Sequence, residues 1–324
     1  MFSKEYLQKL SRQTGFLAES LQKQMTLLDL LREVSRHPLL NNKFALKGGT
    51  AIHIFWFPLA RLSVDIDLNY IGSVDRDTML RDRPVLEKDI RKLIESRGIS
   101  VQFAPADEHA GAKWRLRAPS AFGGNFTLEL DLNFMMRIPV GTVLSRKPYP
   151  LDEDYMFEIR TVSFEELFGG KIKALLERSA ARDLYDVAML SQNSAAYDLA
   201  GVRKATLLLG VTSKKDWRTV DSHTIDAIDQ KMISDELTPV LRQDEAPNLD
   251  AMKSEAKKIL DQILNRTEKE REFLDRFLDK GVYEPSLLFD DREQTKALRA
   301  HPAVLWKLQH LRKFKGLDKG ANNG

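Results

Sequence analysis

Asp65 and Asp67 stand two residues apart in the run Leu62 to Asn69, where Val64, Ile66 and Leu68 alternate with Ser63, Asp65, Asp67 and Asn69. Period-two alternation with β-branched residues predicts a strand with one buried face. Successive side chains point to opposite faces, so both carboxylates project from the polar side. Two like charges on one face repel each other unless a cation neutralises them. Mg²⁺ suits such a pair, because it takes a few carboxylates and completes its shell with substrate phosphates. An isolated Asp-x-Asp is more often the solvated outer face of an edge strand. The residues upstream separate the two cases.

Phe44, Ala45 and Leu46 read as the end of a short strand, followed by Gly48, Gly49 and Thr50. Thr50 to Phe57 predicts a short helix that Pro58 stops. Glycines at a strand-to-helix turn let backbone approach a phosphate, and a helix N-terminus offers it free N–H groups. Thr50 can cap that helix or touch a triphosphate through its hydroxyl. No Gly-Lys-Ser/Thr follows, which excludes a P-loop, and the turn is not a dinucleotide fingerprint. Between this turn and the aspartates, Arg61 can hold a phosphate bidentately or pair with an aspartate. Ser63 shares the polar face with Asp65 and Asp67.

Phe126 to Phe134 repeats the pattern of the acidic strand. Leu128, Leu130, Leu132 and Phe134 face one side, and Glu129, Asp131 and Asn133 the other. Further on, Ser163 and Glu166 form a capping-box pattern that opens a helix over Glu165 to Glu177. Gly169 and Gly170 inside it suggest close approach of the sheet or of a ligand. On a continuous helix Lys171, Arg178 and Arg182 would fall within about 40° of one another, a basic stripe. Ser179 to Ala181 can instead be a turn, with a second helix starting near Arg182.

Gly48-Gly49-Thr50 followed by Arg61-x-Ser63-x-Asp65-x-Asp67-Leu68 resembles the hallmark of the DNA polymerase β-like nucleotidyltransferase superfamily. More narrowly it resembles the AbiEii/AbiGii toxin family of type IV toxin–antitoxin and abortive-infection systems. The block Glu165-Glu166, Lys171, Ala174-Leu175, Arg178, Arg182-Asp183-Leu184-Tyr185-Asp186 is similar to that family as well. The two blocks span roughly residues 45 to 190, and the C-terminal third carries no matching motif.

The resemblance implies Mg²⁺-dependent transfer of a nucleoside monophosphate from an NTP to an acceptor hydroxyl, with the tRNA 3′ end as leading acceptor. Asp65 and Asp67 would hold the metal, joined by a third carboxylate from a neighbouring strand, Asp131 with Glu129 as its rival. Gly48, Gly49 and Thr50 would cradle the triphosphate. Lys171 would offset charge on the departing pyrophosphate. In the family an aspartate of the last block is functionally important. Asp183 is the first choice and Asp186 the second, one of them holding Lys171, Arg178 or Arg182. A cognate antitoxin is implied too. Transfer to a protein or a small molecule, and nucleotide or RNA binding without catalysis, are the alternatives.

The expected fold is α+β, with a mixed sheet flanked by helices over residues 1–160 and a helical domain over 161–324. That length allows a core in each. The chain has no cysteine, which excludes disulfides and thiolate zinc sites. Its first residues lack the apolar core of a signal peptide, and no apolar run approaches the roughly 20 residues that span a bilayer, so the expected location is the cytoplasm. A formal net charge of +3 permits nucleic-acid binding without establishing it. Helices are expected over Gly15 to His37, Pro84 to Arg97, Leu249 to Leu278 and Thr295 to Phe314, the last interrupted at Pro302. Ser234 to Asn248, with two prolines, reads as a connector. The lysines and arginines after Ala300 offer a seat for RNA.

Overall fold

The computed structural model describes residues 2–104, 111–149, 151 and 156–317. The tail and most of the loop expected before Trp114 lie outside them. The chain forms two compact units: one takes residues 1–137, 143–162 and 233–247, the other residues 138–142, 163–232 and 248–324.

The first unit opens with helix α1 (Lys4–Thr14), capped by Ser3 and ended by Gly15 in the left-handed region, and then α2 (Ala18–Arg36). Strand β1 (Phe44–Lys47) runs into α3 (Gly48–Phe55), and β2 (Asp65–Tyr70) follows. Helix α4 (Arg76–Ser96) starts eight residues before the expected Pro84. Asp75 caps it, accepting from Thr78 N–H at 2.7 Å, and Pro84 is carried inside the helix, where it forfeits a backbone bond. Strands β3 (Ser100–Phe103), β4 (Gly111–Pro119), β5 (Asn125–Asn133), β6 (Leu144–Arg146) and β7 (Ile159–Thr161) complete a seven-stranded sheet in the order β3-β4-β5-β2-β1-β7-β6. It is mixed: β2 pairs parallel with β5 and β1 parallel with β7, and the remaining pairs are antiparallel.

Alternation along the strands gives this sheet two chemically different faces. Phe44 and Leu46, Ile66 and Leu68, Leu128 to Leu132, and Trp114 and Leu116 line up on the buried face, where α2 packs against β5 and β7. Burying each such side chain contributes about 1.5–3 kcal/mol, which locks the register, because a one-residue slip would turn every one of them to water. The polar residues between them are thereby forced onto the other face.

The segment read as a connector is instead part of the first unit. Leu62 N–H donates to the Val240 carbonyl at 2.8 Å, Ser20 Oγ to that of Pro239 at 2.7 Å, and Phe16 bridges Arg242. Val240 and Leu241 are buried. Ile233 and Leu237 are buried as well, so four apolar residues anchor it, while Asp235, Pro239 and Asp244 are exposed.

The second unit's regular elements, among the described residues, are helices: α5 (Phe164–Arg178), α6 (Ala181–Gln192), α7 (Leu199–Gly210), the single turn α8 (Gln230–Met232), α9 (Leu249–Leu264), α10 (Glu268–Lys280), α11 (Arg292–Leu298) and α12 (Pro302–Lys315). The helix expected over 249–278 is two helices. Thr267 stops the first and opens the second through a full capping box with Glu270, a Thr-x-x-Glu signal present in the sequence. At Ser163 only half of the expected box forms: its hydroxyl accepts from Glu166 N–H, while the Glu166 carboxylate accepts from Val140 N–H at 2.7 Å. Gly169 meets α7, where a Cβ would lie 2.9 Å from Ala205 Cβ and Thr206 N. The close approach it permits is helix to helix, neither to the sheet nor to a ligand.

Candidate active site

Pairing of β1, β2, β5 and β4 writes the polar face as rows. In one row Lys47 stands opposite Asp67, Asp67 opposite Asp131, and Asp131 opposite Lys113. In the next, Asp65 stands opposite Glu129, and Glu129 opposite Arg115. The two acidic strands, sixty residues apart in sequence, therefore put Asp67 and Asp131 side by side, with a lysine at each end of the row. Lys113 Nζ lies 2.7 Å from Glu129 Oε2, so Glu129 is paired with a cation.

Burial pushes the Asp131 carboxyl above its ordinary range; Lys47 opposes the rise and the Asp67 charge adds to it. A half-buried carboxylate beside a second one is a place where positive charge is favoured. Among the described residues no three His, Cys, Asp or Glu side chains converge as a ready cation cage. The donor set nevertheless fits Mg²⁺, which takes one or two carboxylates and fills its octahedron with water and phosphate oxygens.

The turn before α3 is shaped around these carboxylates. Gly48 has φ 73°, in the left-handed region, and a Cβ there would overlap Asp67 Oδ2. The β1–α3 turn therefore closes directly onto the Asp67 carboxylate, which any side chain at position 48 would displace. A Cβ at Gly49 would sit 2.9 Å from Arg61 Nη2 and 3.2 Å from Ser63 Oγ. The Arg61 guanidinium is buried beneath the turn and donates from Nη1 to the Leu62 carbonyl at 2.9 Å.

Thr50, fully buried, ties the turn to the acidic strand. Its hydroxyl lies 2.9 Å from Ser63 Oγ and 2.5 Å from the Asp65 carbonyl. It is not the helix cap, a position that Lys47 fills without a side-chain bond. Ser63 is held from the other direction, its N–H donating to Gln24 Oε1 at 2.8 Å. Gln24, Lys47 and Lys113 were not foreseen. Gln24 sits inside an apolar helix stripe, and the lysines acquire a role only through strand pairing.

Lys171, Arg178, Asp183 and Asp186 come together in the second unit. Ser179 adopts φ 51° and ends α5, its hydroxyl donating to the Thr224 carbonyl at 3.0 Å. The chain turns, and α6 starts at Ala181. The continuous basic stripe is thus absent, and Arg182, half-buried on the first turn of α6, leaves the line of Lys171 and Arg178. Asp183 and Asp186, three apart on α6, present one face to α5. Lys171 Nζ lies 2.7 Å from Asp183 and 3.0 Å from Asp186, all three buried. Arg178 reaches Asp183 through Nε at 2.7 Å and Nη2 at 3.1 Å while 65% of its side chain stays exposed. Burial alone would raise the Asp183 pKa, but Lys171 and Arg178 outweigh it and hold the carboxyl below its usual value. Both aspartates thus contact Lys171, and Asp183 also receives the fork of Arg178.

A Gly-Gly turn seated on one of two neighbouring acidic strands, within a mixed sheet flanked by helices, defines a nucleotidyltransferase-type domain. The chain belongs to the AbiEii family, described as nucleotidyl transferase AbiEii toxin of the type IV toxin–antitoxin system, whose profile matches residues 29–282. It is a nucleotidyltransferase toxin of that system, a class that takes an NTP as substrate and has an antitoxin as partner. The fold is similar to that of MenT4, a nucleotidyltransferase toxin from Mycobacterium tuberculosis, with a TM-score of 0.65 and 18% identity over 91% of this chain and 98% of that one. A search of curated proteins finds no match. Among the described residues no helix is long and apolar enough to cross a membrane.

Proposed function

We propose that the protein transfers a nucleoside monophosphate from an NTP to the 3′-terminal hydroxyl of tRNA, with Mg²⁺, and so arrests translation in the cytoplasm. The observation that carries the chemistry is the Asp67–Asp131 pair lying in register beside a Gly48 that has no room for a side chain. Asp65, Asp67 and Asp131 are the metal ligands in this reading. When bound, Mg²⁺ supplies neutralisation of the phosphate charge. Gly48, Gly49 and the first turn of α3 present backbone N–H groups to the triphosphate, and Thr50, Ser63 and Arg61 keep that turn in place. Asp131, whose carboxyl burial pushes above its ordinary range, orients the acceptor hydroxyl and takes its proton. Lys171 and Arg178 stabilise the leaving pyrophosphate, held ready by Asp183 and Asp186, with Arg182 as a further phosphate contact.

The test incubates the protein with Mg²⁺, total tRNA and each α-³²P-labelled NTP in turn, beside D65A. Label entering tRNA with one or two nucleotides and lost in the variant supports the reading. Label on a protein band replaces it with nucleotidylylation of protein, and no transfer to RNA or protein sends the search to small-molecule acceptors.

A further inference from the structure

Helix α12 divides into two faces. Val304 and Leu308 are buried, and on the opposite side, at about 100° per residue, lie Trp306, His310, Lys313 and Phe314. Trp306 is 54% exposed and Phe314 89%. The Trp306 ring packs on the His310 ring at 3.9 Å between centroids, and His310 Nδ1 lies 2.8 Å from the Trp306 carbonyl, which fixes the indole rather than leaving it loose. An exposed, oriented indole is not accounted for by the fold, because it buries nothing there.

The charge around it is one-sided. From Gln294 to Leu317 the sequence has six lysines and arginines and no carboxylate. Two of them are engaged: Arg312 donates to the Gly281 carbonyl at 2.7 Å, and Lys315 leans on Asp279 at 3.4 Å. Lys307 lies on the same side of the helix as Phe314, two turns before it. Burial and then the Lys214 charge both push its pKa down. Like charges that act on each other leave positive charge for an external anion to neutralise. The helix also lies beyond residue 282, where the family profile ends.

Planar rings beside lysines that have no carboxylate partner among the described residues match the alternation of bases and phosphates along an unpaired strand. An acidic protein segment would supply carboxylates but no rings to stack. Two separated aromatic side chains with the partly exposed Leu305 and Leu317 are too scattered an apolar surface to hold a bilayer interface. We infer that the outer face of α12 is a binding platform for single-stranded RNA, with bases stacked on Trp306 and Phe314 and phosphates on Lys214, Lys307 and Lys313. Its purpose rests on the RNA acceptor proposed above, whereas binding itself is measurable without turnover.

The experiment titrates the full chain with a fluorescein-labelled 12-nucleotide RNA, reading anisotropy and tryptophan quenching at several salt concentrations. The variants are W306A/F314A and, separately, K307A/K313A, each with its melting temperature. Because these side chains lie outside the core, melting should not change. The ring variant should bind at least about tenfold more weakly and lose its quench, since stacking on one aromatic residue is worth that much. The lysine variant should lower the salt slope by about 0.7 per lysine removed. Unchanged affinity in both variants overturns the inference, as does wild-type protein that prefers a 12-base-pair duplex, phosphatidylserine vesicles or polyglutamate over the single strand. Label transfer to tRNA run alongside separates the two claims. Transfer to tRNA with no effect of the variants on binding removes α12 and leaves the acceptor assignment standing. Ring-dependent RNA binding with label only on protein does the reverse.

Discussion

Asp67 of β2 and Asp131 of β5 face each other across a parallel pair, and the Asp67 carboxylate fills the space where a Gly48 side chain would be. The acidic pair and the turn are therefore one device, and changing either should disturb the other.

Asp67→Ala and Asp131→Asn should each lower transfer by a factor of about 10³ or more if both carboxylates act in the transition state. The effect of Asp131→Asn on stability should differ in sign from a simple structural loss. The native pKa of Asp131 is raised, so its ionisation opposes folding above that raised value, and the penalty vanishes below the ordinary carboxylate range. The metal-free D131N protein should accordingly melt higher than wild type at neutral pH, with the gain shrinking as pH falls through that window. Calorimetry over a pH series checks it; a lower melting point at neutral pH would contradict the charge argument.

Gly48→Ala forces a side chain into a left-handed φ of 73° and into the Asp67 carboxylate. About 1–3 kcal/mol of stability should be lost. Activity should fall further than this loss explains, because Asp67 must turn aside. Comparing transfer well below the variant's own melting temperature distinguishes displacement from unfolding.

Thr50→Val keeps the shape of a fully buried side chain while deleting its hydroxyl contacts with Ser63 Oγ and the Asp65 carbonyl. Leaving a buried acceptor unsatisfied costs about 1–3 kcal/mol. If the hydroxyl also fixes the turn over the triphosphate, KM for NTP should rise more than kcat falls. A purely catalytic loss with unchanged KM would remove that role.

Lys171→Ala strips the cation from between two buried aspartates. Breaking such a cluster costs about 3–5 kcal/mol, so the variant should melt far below wild type. Asp183 carries the pH signature. Its native pKa is depressed, so the stability it contributes is present above the unfolded carboxylate value and is lost as pH falls through the native one. Arg178→Ala should shift the acid-unfolding midpoint upward, by less than Lys171→Ala does, since Arg178 is mostly exposed and solvent screens it.

Much of this was legible in the residues. Alternation marked both acidic strands and their polar faces, because one face of each had to be buried against helices. The Gly-Gly turn marked the strand-to-helix junction, and the apolar periodicity between Gly15 and His37 marked the second helix. Two matching blocks in order were enough to place the chain in its family. Local chemistry of this kind is written in neighbouring residues.

Only the tertiary structure decided which of these residues meet. Strand order places β5 against β2, so Asp131 stands beside Asp67 and Glu129 goes to Lys113, a choice that spacing leaves open. The left-handed Ser179 breaks the expected stripe and folds α6 back, giving both Asp183 and Asp186 to Lys171 where sequence offered one or the other. Residues 233–247 join the first unit through the Leu62–Val240 and Gln243–Gly15 backbone bonds and four buried apolar side chains, too irregular a pattern to read in a stretch of acids and prolines. Sequence periodicity reports which side of an element is wet. Pairing between elements far apart in the chain is set by packing of the whole, and the candidate site is made of such pairings.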